Sequence, residues 1–277
     1  MSVKMSSPRV LRTGSPLALA AIQAVAPAVF ANEPHSSRGP RYLYVPTIDP
    51  LQKMLDNGWG VWEVRQQRSR DAERDPYTKH MLRLRKLSDF DRSAIVGEGV
   101  PEVVLINAHD GTAAYNLMAG FFRFICSNGM MVGTHIAGFK INHAVSSKTS
   151  LEVLEAGERT VTEKFPRMME HIGMMRERIA TPEQQYRLAD TALKLRYGPT
   201  VAPFPATDLL KVRREQDAEA TMWNVLNRVQ ENVMNGGWET RSQLFARRSA
   251  VRGVERVSAV AKINAGLWDL ATDMALA

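Results

Sequence analysis

Between Val61 and Phe90 the chain carries Arg65, Arg68, Arg70, Arg74, Lys79, Arg83, Arg85 and Lys86. Five acids, Glu63, Asp71, Glu73, Asp75 and Asp89, offset these eight cations in part. The acids concentrate in a stretch that reads as a loop. The arginines of "MLRLRK" instead alternate with leucines, so period two places Arg83 and Arg85 on one sheet face. Guanidinium groups spaced along a sheet can hold a phosphate backbone, because each presents a fork of donors to phosphate oxygens. Trp59, Trp62, Tyr77 and Phe90 interleave with these charges, and bases of a single strand stack on such rings. The competing reading is a solvated sheet face laced with cross-strand salt bridges, with Trp62 in the core beside Val64.

Other residue types invite chemistry and carry less. Cys126, the one cysteine of the chain, would need a nearby histidine and positive charge to act as a nucleophile. His109, His135 and His143 are available, with Arg123 close in sequence. The pattern matches no cysteine hydrolase, and a lone cysteine more often packs as a small apolar residue. The same histidines show no metal-ligand spacing, so no metal and no cofactor are expected. "NAHDG" reads as a turn with Asp110-Gly111 in its tight positions. Asn224, Asn227 and Gln230 share a helix face, which suits packing or a partner. The chain has no P-loop and no dinucleotide glycine motif.

The 277 residues carry a net charge of +7 and 44% hydrophobic residues, enough for a real core. A basic balance favours an acidic partner, nucleic acid before a membrane surface. A single cysteine excludes an internal disulfide and fits a reducing cytoplasm. The segment "LALAAIQAVAPAVFA" resembles a signal peptide, but Gln23 and Pro27 interrupt it and it reads better as an amphipathic helix starting at Ser15-Pro16. No apolar run approaches the ~20 residues of a membrane span.

The elements that must position these residues follow from pattern. Asn32 to Pro40 is a turn-rich loop. "DPLQKMLDNG" is a helix capped by Asp49 and ended by Gly58. Strands follow from Trp59 to about Val145, with Trp62 and Val64 facing one way and Glu63 and Arg65 the other. In "GFFRFICSNGMMVG" the Asn128-Gly129 pair predicts a hairpin turn. Apolar residues from Leu151 to Ile179 keep helical spacing, and Pro166 should split that helix. Its methionines (Met168, Met169, Met174, Met175) would offer adaptable apolar surface. Thr181-Pro182 starts another helix. A long helix is predicted from about Thr207 to Gly236-Gly237, an irregular basic stretch after it, and a last helix from Arg256. The fold class is α+β: an antiparallel β-meander core packed on a long helix, with a helical C-terminal half. Boundaries fall at 1–40 (helix and loop), 41–150 (β-rich core) and 151–277 (helical region).

The segments "APAVFA", "YLYVPT", "RSRDAERDPYTKHMLRLRK", "LINAHDGTAAYNLMAGFFRFICSNGM", "NVLNRVQENVMNGG" and "INAGLWDLA" together resemble the bacterial phage/plasmid-like family known as domain of unknown function 932. The likeness runs from about Ala26 to near the C-terminus. It implies mobile-element biology and no established activity, so no catalytic residue is carried over. The element order (helix, Gly58-Trp59, strands, long helix) is also similar to Rad52-type single-strand annealing proteins, which implies a basic groove and ring assembly. The resulting expectation is a non-enzymatic, cytoplasmic, homo-oligomeric protein that binds or anneals single-stranded DNA in recombination. Its contacts would be Arg65, Arg68, Arg70, Lys79, Arg83 and Arg85, backed by Arg123, Lys140 and Lys148. The alternatives are a modulator that binds a host protein, or an enzyme of unrecognised type centred on Cys126.

Overall fold

The computed structural model describes residues 9–90, 99–123, 129–131, 138–141, 151–199, 202–241 and 248–277. Two compact units emerge. The first holds residues up to Gly129 together with Ala137–Lys164, and the second holds Met130–Ile136 and Phe165–Ala277.

The first unit is built on an antiparallel sheet. Its strands are β1 (Arg9–Arg12), β2 (Trp59–Gln66), β3 (His80–Lys86), β4 (Gly99–Asn107) and β5 (Tyr115–Arg123), adjacent in that order. The short β6 (Gly129–Met131) straddles the chain boundary between the two units, and β7 (Gly138–Ile141) pairs with β5. The meander expected from the alternating leucines and arginines is present, and the class is α+β. Helix α1 (Leu19–Val25), a 3-10 turn (Pro27–Phe30), α2 (Ile48–Asp56) and α3 (Leu151–Thr162) complete the unit. The indole N–H of Trp59 donates to Glu158 of α3 at 2.7 Å, which ties that helix to the start of β2.

Some local expectations fail for identifiable reasons. β1 adds a strand to the segment 1–40, for which only a helix and a loop are expected, because its four residues find the open edge of β2. The register slips between Val61 and Glu63, a β-bulge. The bulge turns Trp62 onto the arginine side of the sheet instead of the Val64 side, since one extra residue re-aims a side chain. Thr47 rather than Asp49 precedes α2, and its hydroxyl makes no cap bond. Gly60 sits near the start of β2 for packing: a Cβ there would lie 2.8 Å from the Phe90 ring.

The second unit is helical, with α4 (Phe165–Glu177), α5 (Pro182–Tyr197), α6 (Met222–Asn235) and α7 (Val257–Leu276), plus a hairpin of β8 (Glu239–Arg241) and β9 (Arg248–Ala250). The helical stripe does split before Pro166, giving α3 and α4. Thr181 caps α5 in a reciprocal capping box with Gln184. The helix expected from Thr207 begins instead at Met222: Ala206–Leu210 forms a 3-10 turn, and Thr221 supplies the N-cap. The basic stretch after Gly237 contains the β8–β9 hairpin where irregular chain was expected. In α6 only Asn235 escapes burial. Its amides are used inside the unit: Gln230 donates to Asn264 at 2.9 Å, and Asn232 donates to the Leu209 and Lys211 carbonyls. Of the four methionines, Met168 and Met175 are buried, and Met169 and Met174 are exposed. Among the described residues no helix is long and apolar enough to cross a membrane.

Candidate nucleic-acid interface

The arginines of the sheet do share a face, but that face is buried. Arg65, Arg83 and Arg85 keep 4%, 2% and 1% of their surface. Arg83 lies opposite Glu63 on β2 and forms an ion pair with Glu102 of β4. Arg65 pairs with Glu63, whose other oxygen takes Arg12 of β1 at 2.9 Å. Trp62 donates to Glu102 at 2.8 Å, and the Arg83 guanidinium lies 5.2 Å from the Trp62 ring centroid. Arg85 stacks 4.0 Å from the Phe90 centroid and donates to the Gly14 carbonyl.

Electrostatics separate the two carboxyls. Burial pushes Glu63 up, but Arg65, Arg83 and Arg12 together outweigh it and hold the carboxyl below its ordinary range. Burial outweighs Arg83 at Glu102, whose carboxyl is raised. This is an internal charge layer. Turning Arg65, Arg83 and Arg85 outward to meet phosphate would break buried pairs, and breaking one such pair costs about 3–5 kcal/mol. The exposed arginine face read from the alternation is therefore corrected. The four-residue β1 and the bulge close the layer, and neither is visible in the spacing.

The remaining expected contacts scatter. Arg123 is buried near the end of β5, on the opposite face from Arg83 by its pairing with Gly99. Lys140 is exposed on β7. Arg68 and Arg70 are exposed in the loop between β2 and β3, and Lys79 is half-buried where that loop ends. Lys148, Cys126, Asn128, His135 and His143 lie outside the described residues. Among the described residues no group of three or more His, Cys, Asp or Glu could hold a metal ion.

Arg68, Arg70 and Lys79 are joined there by Arg74 and Tyr77 of the same loop, a cation and a ring singled out in the sequence but not placed among the expected contacts. The loop meets the segment His35–Tyr44 and the turn Asp110-Gly111. Backbone bonds knit the three pieces: His35 N–H to the His109 carbonyl at 3.0 Å, and His109 N–H to the Tyr77 carbonyl at 2.9 Å. The His35 and Tyr77 rings meet edge to face, 5.3 Å apart. Arg74 Nε donates to Asp110 Oδ2 at 2.9 Å. Asp110 Oδ1 accepts from the Thr112 amide at 3.0 Å and the Thr112 hydroxyl at 2.6 Å. Gly111 has φ +79, and a Cβ there would lie 2.6 Å from an Arg38 guanidinium nitrogen. The turn therefore needs glycine for its backbone, while the end of the Arg38 side chain lying on it would have to shift for any Cβ.

Tyr42 donates its hydroxyl to the Ala108 carbonyl at 3.0 Å. Burial, with Asp110 beside it, pushes its phenol up to about 12. Burial also lowers Lys79 against the pull of Asp110. Arg74 thus binds a nearly buried carboxylate whose field reaches Lys79, Arg38 lies on the adjoining glycine, and tyrosine and histidine rings border them.

A buried polar chain holds the floor of this region. His80 Nδ1 lies 3.0 Å from the Thr78 carbonyl, which can only accept, so that nitrogen carries the proton. Nε2 then accepts from the Thr47 hydroxyl at 2.8 Å. The Thr47 oxygen in turn accepts from Asn107 at 3.0 Å and from His109 Nε2 at 3.3 Å. Thr47 is committed to this chain, which is why it does not cap α2. Burial lowers His80 to about 4.

Comparison with known proteins supplies the relatives. The family model described as "Domain of unknown function (DUF932)" matches residues 34–262. The chain is similar to the UPF0380 proteins YafZ and YfjQ of Escherichia coli (strain K12). Each is 33% identical over 271 residues, covering 98% of this chain and 96% of the relative. No solved structure matches.

Proposed function

The chain belongs to the DUF932 family of unknown function, and from that premise we propose that it binds single-stranded nucleic acid without acting as an enzyme. The contact surface is the end of the first unit, around the Asp110-Gly111 turn. One observation carries the reading: Arg38, Arg74 and Lys79 gather with Tyr42, Tyr77 and His35 there, flanked by exposed Arg68 and Arg70. Cations supply sequence-independent affinity for phosphates, and rings supply stacking for unpaired bases. The surplus positive charge of the chain suits the same partner. A place in mobile-element biology extends this reading from the family resemblance, and annealing of complementary strands, assembly into oligomers and recombination extend it from the Rad52-like order of elements alone.

The test is fluorescence anisotropy with a labelled single-stranded oligonucleotide. Affinity should fall steeply between about 50 and 200 mM salt, with a slope near −0.7 per phosphate contacted. An Arg68→Ala/Arg70→Ala/Lys79→Ala variant should bind more weakly and with a shallower slope. Absence of binding at low salt ends the proposal.

A further inference from the structure

We infer that Asp110 is a positioning residue that aims Arg74 at a phosphate group of the bound strand; the inference rests on the function proposed above. Asp110 is itself fixed. It is 2% exposed, and one of its oxygens is held by two bonds from Thr112. Its other oxygen takes Arg74 through Nε alone. An arginine has five donors, and the Nε edge is only one side of the fork. The end-on edge between its two terminal nitrogens takes no part in that bond. The Arg74 side chain keeps 39% of its surface while that of Asp110 keeps 3%. The carboxylate is thus buried, while more than a third of the Arg74 side chain stays open to solvent.

Two opposing effects act on a phosphate arriving at that edge. The negative charge of Asp110 repels it across the guanidinium, in a setting open to water where Coulomb energies are small. Against this, a free arginine loses rotamer freedom when it is ordered, and one already held loses less. The neighbouring groups favour the second effect. Arg38 lies on Gly111, and Lys79 feels the field of Asp110. Both offset the carboxylate for any ligand at this point. The sign of the Asp110 contribution is therefore opposite to that of its charge.

Two conservative variants read this sign. Asp110→Asn keeps an oxygen for the Thr112 amide and preserves the turn, but offers Arg74 no anionic acceptor. Arg74→Lys keeps the charge but lacks both Nε and the fork. Each should weaken binding of the labelled oligonucleotide by about tenfold, the size of one charge-assisted hydrogen bond, with urea midpoints matching the wild-type protein. Tripolyphosphate, titrated calorimetrically, is the second probe. Binding of Asp110→Asn equal to or tighter than wild type, or Arg74→Lys matching wild type, overturns the positioning role while leaving the nucleic-acid reading intact. If the wild-type protein ignores the oligonucleotide but takes tripolyphosphate, with both variants impaired, the positioning role stands and the ligand is another phosphate compound. Failure of the wild-type protein to bind either probe removes both proposals.

Discussion

The indole of Trp62 donates its N–H to Glu102 at 2.8 Å while Arg83 binds the other oxygen of the same carboxylate. A tryptophan that would ordinarily join the apolar core thus completes a buried charge layer. The β-bulge before Glu63 makes this possible, because it moves Trp62 to the side of Arg83. The layer specifies how β2, β3 and β4 stack, since each strand contributes a charged residue that must meet its partner.

That arrangement predicts a large and asymmetric response to substitution. Glu102→Gln should destabilise the protein by about 3–5 kcal/mol, because Arg83 stays buried with its own ion pair gone and faces a Glu63 that Arg65 and Arg12 already hold. The double variant Arg83→Met/Glu102→Leu should recover most of that loss, since apolar groups of similar volume remove the desolvation cost from both sides. Urea unfolding measures both. A double variant no more stable than the single one would refute the charge-layer account.

His80 gives a pH prediction with a definite sign. Its folded pKa of about 4 lies below the ordinary 6.5. The unfolded chain therefore binds the extra proton first as pH falls. The stability held by neutral His80 is fully present above about 6.5 and is lost progressively as pH drops to about 4, by about 3 kcal/mol. Comparing wild type with His80→Asn isolates this from the carboxyls: the stability difference between them should shrink across that window. A difference that stays constant from pH 7 to pH 4 would contradict it.

Two adjacent glycines should respond unequally. Gly236 and Gly237 both have positive φ, 58° and 72°. A Cβ on Gly236 would lie 2.3 Å from the Val251 carbonyl oxygen, whereas nothing lies within 4 Å of one on Gly237. Gly237→Ala should cost about 1–2 kcal/mol from backbone strain alone, and Gly236→Ala should cost clearly more. Thermal melts of the two variants side by side decide this, and equal losses would disprove the packing argument.

The buried and exposed arginines should separate cleanly. Arg83→Ala should lower the melting temperature sharply. Arg68→Ala/Arg70→Ala should leave melting unchanged and weaken oligonucleotide binding. Equal effects of both on binding, with no change in melting, would place the buried layer in the interface after all.

Much of the fold was legible because short-range chemistry decides it. Alternating Leu82, Arg83, Leu84 and Arg85 has no other use than a strand. Thr181-Pro182 starts a helix through a local capping box, and Pro166 must interrupt one. The start of α6 is not readable locally, because Thr207 and Thr221 both offer cap chemistry and only packing chooses Thr221. The candidate site was less legible still. Arg74 and Asp110 are 36 positions apart, and no periodicity links them.

Composition, spacing and motif carry the α+β class, the central meander, the basic surplus and the family. Tertiary structure alone decided which arginines meet water. An alternating pattern assigns Arg83 and Arg85 to a face, but whether that face is solvated depends on what packs over it and which carboxylates lie across from it. Glu102 reaches Arg83 only when β4 pairs with β3, and Arg38 and Arg74 reach the Asp110 turn only when two loops and a strand end converge.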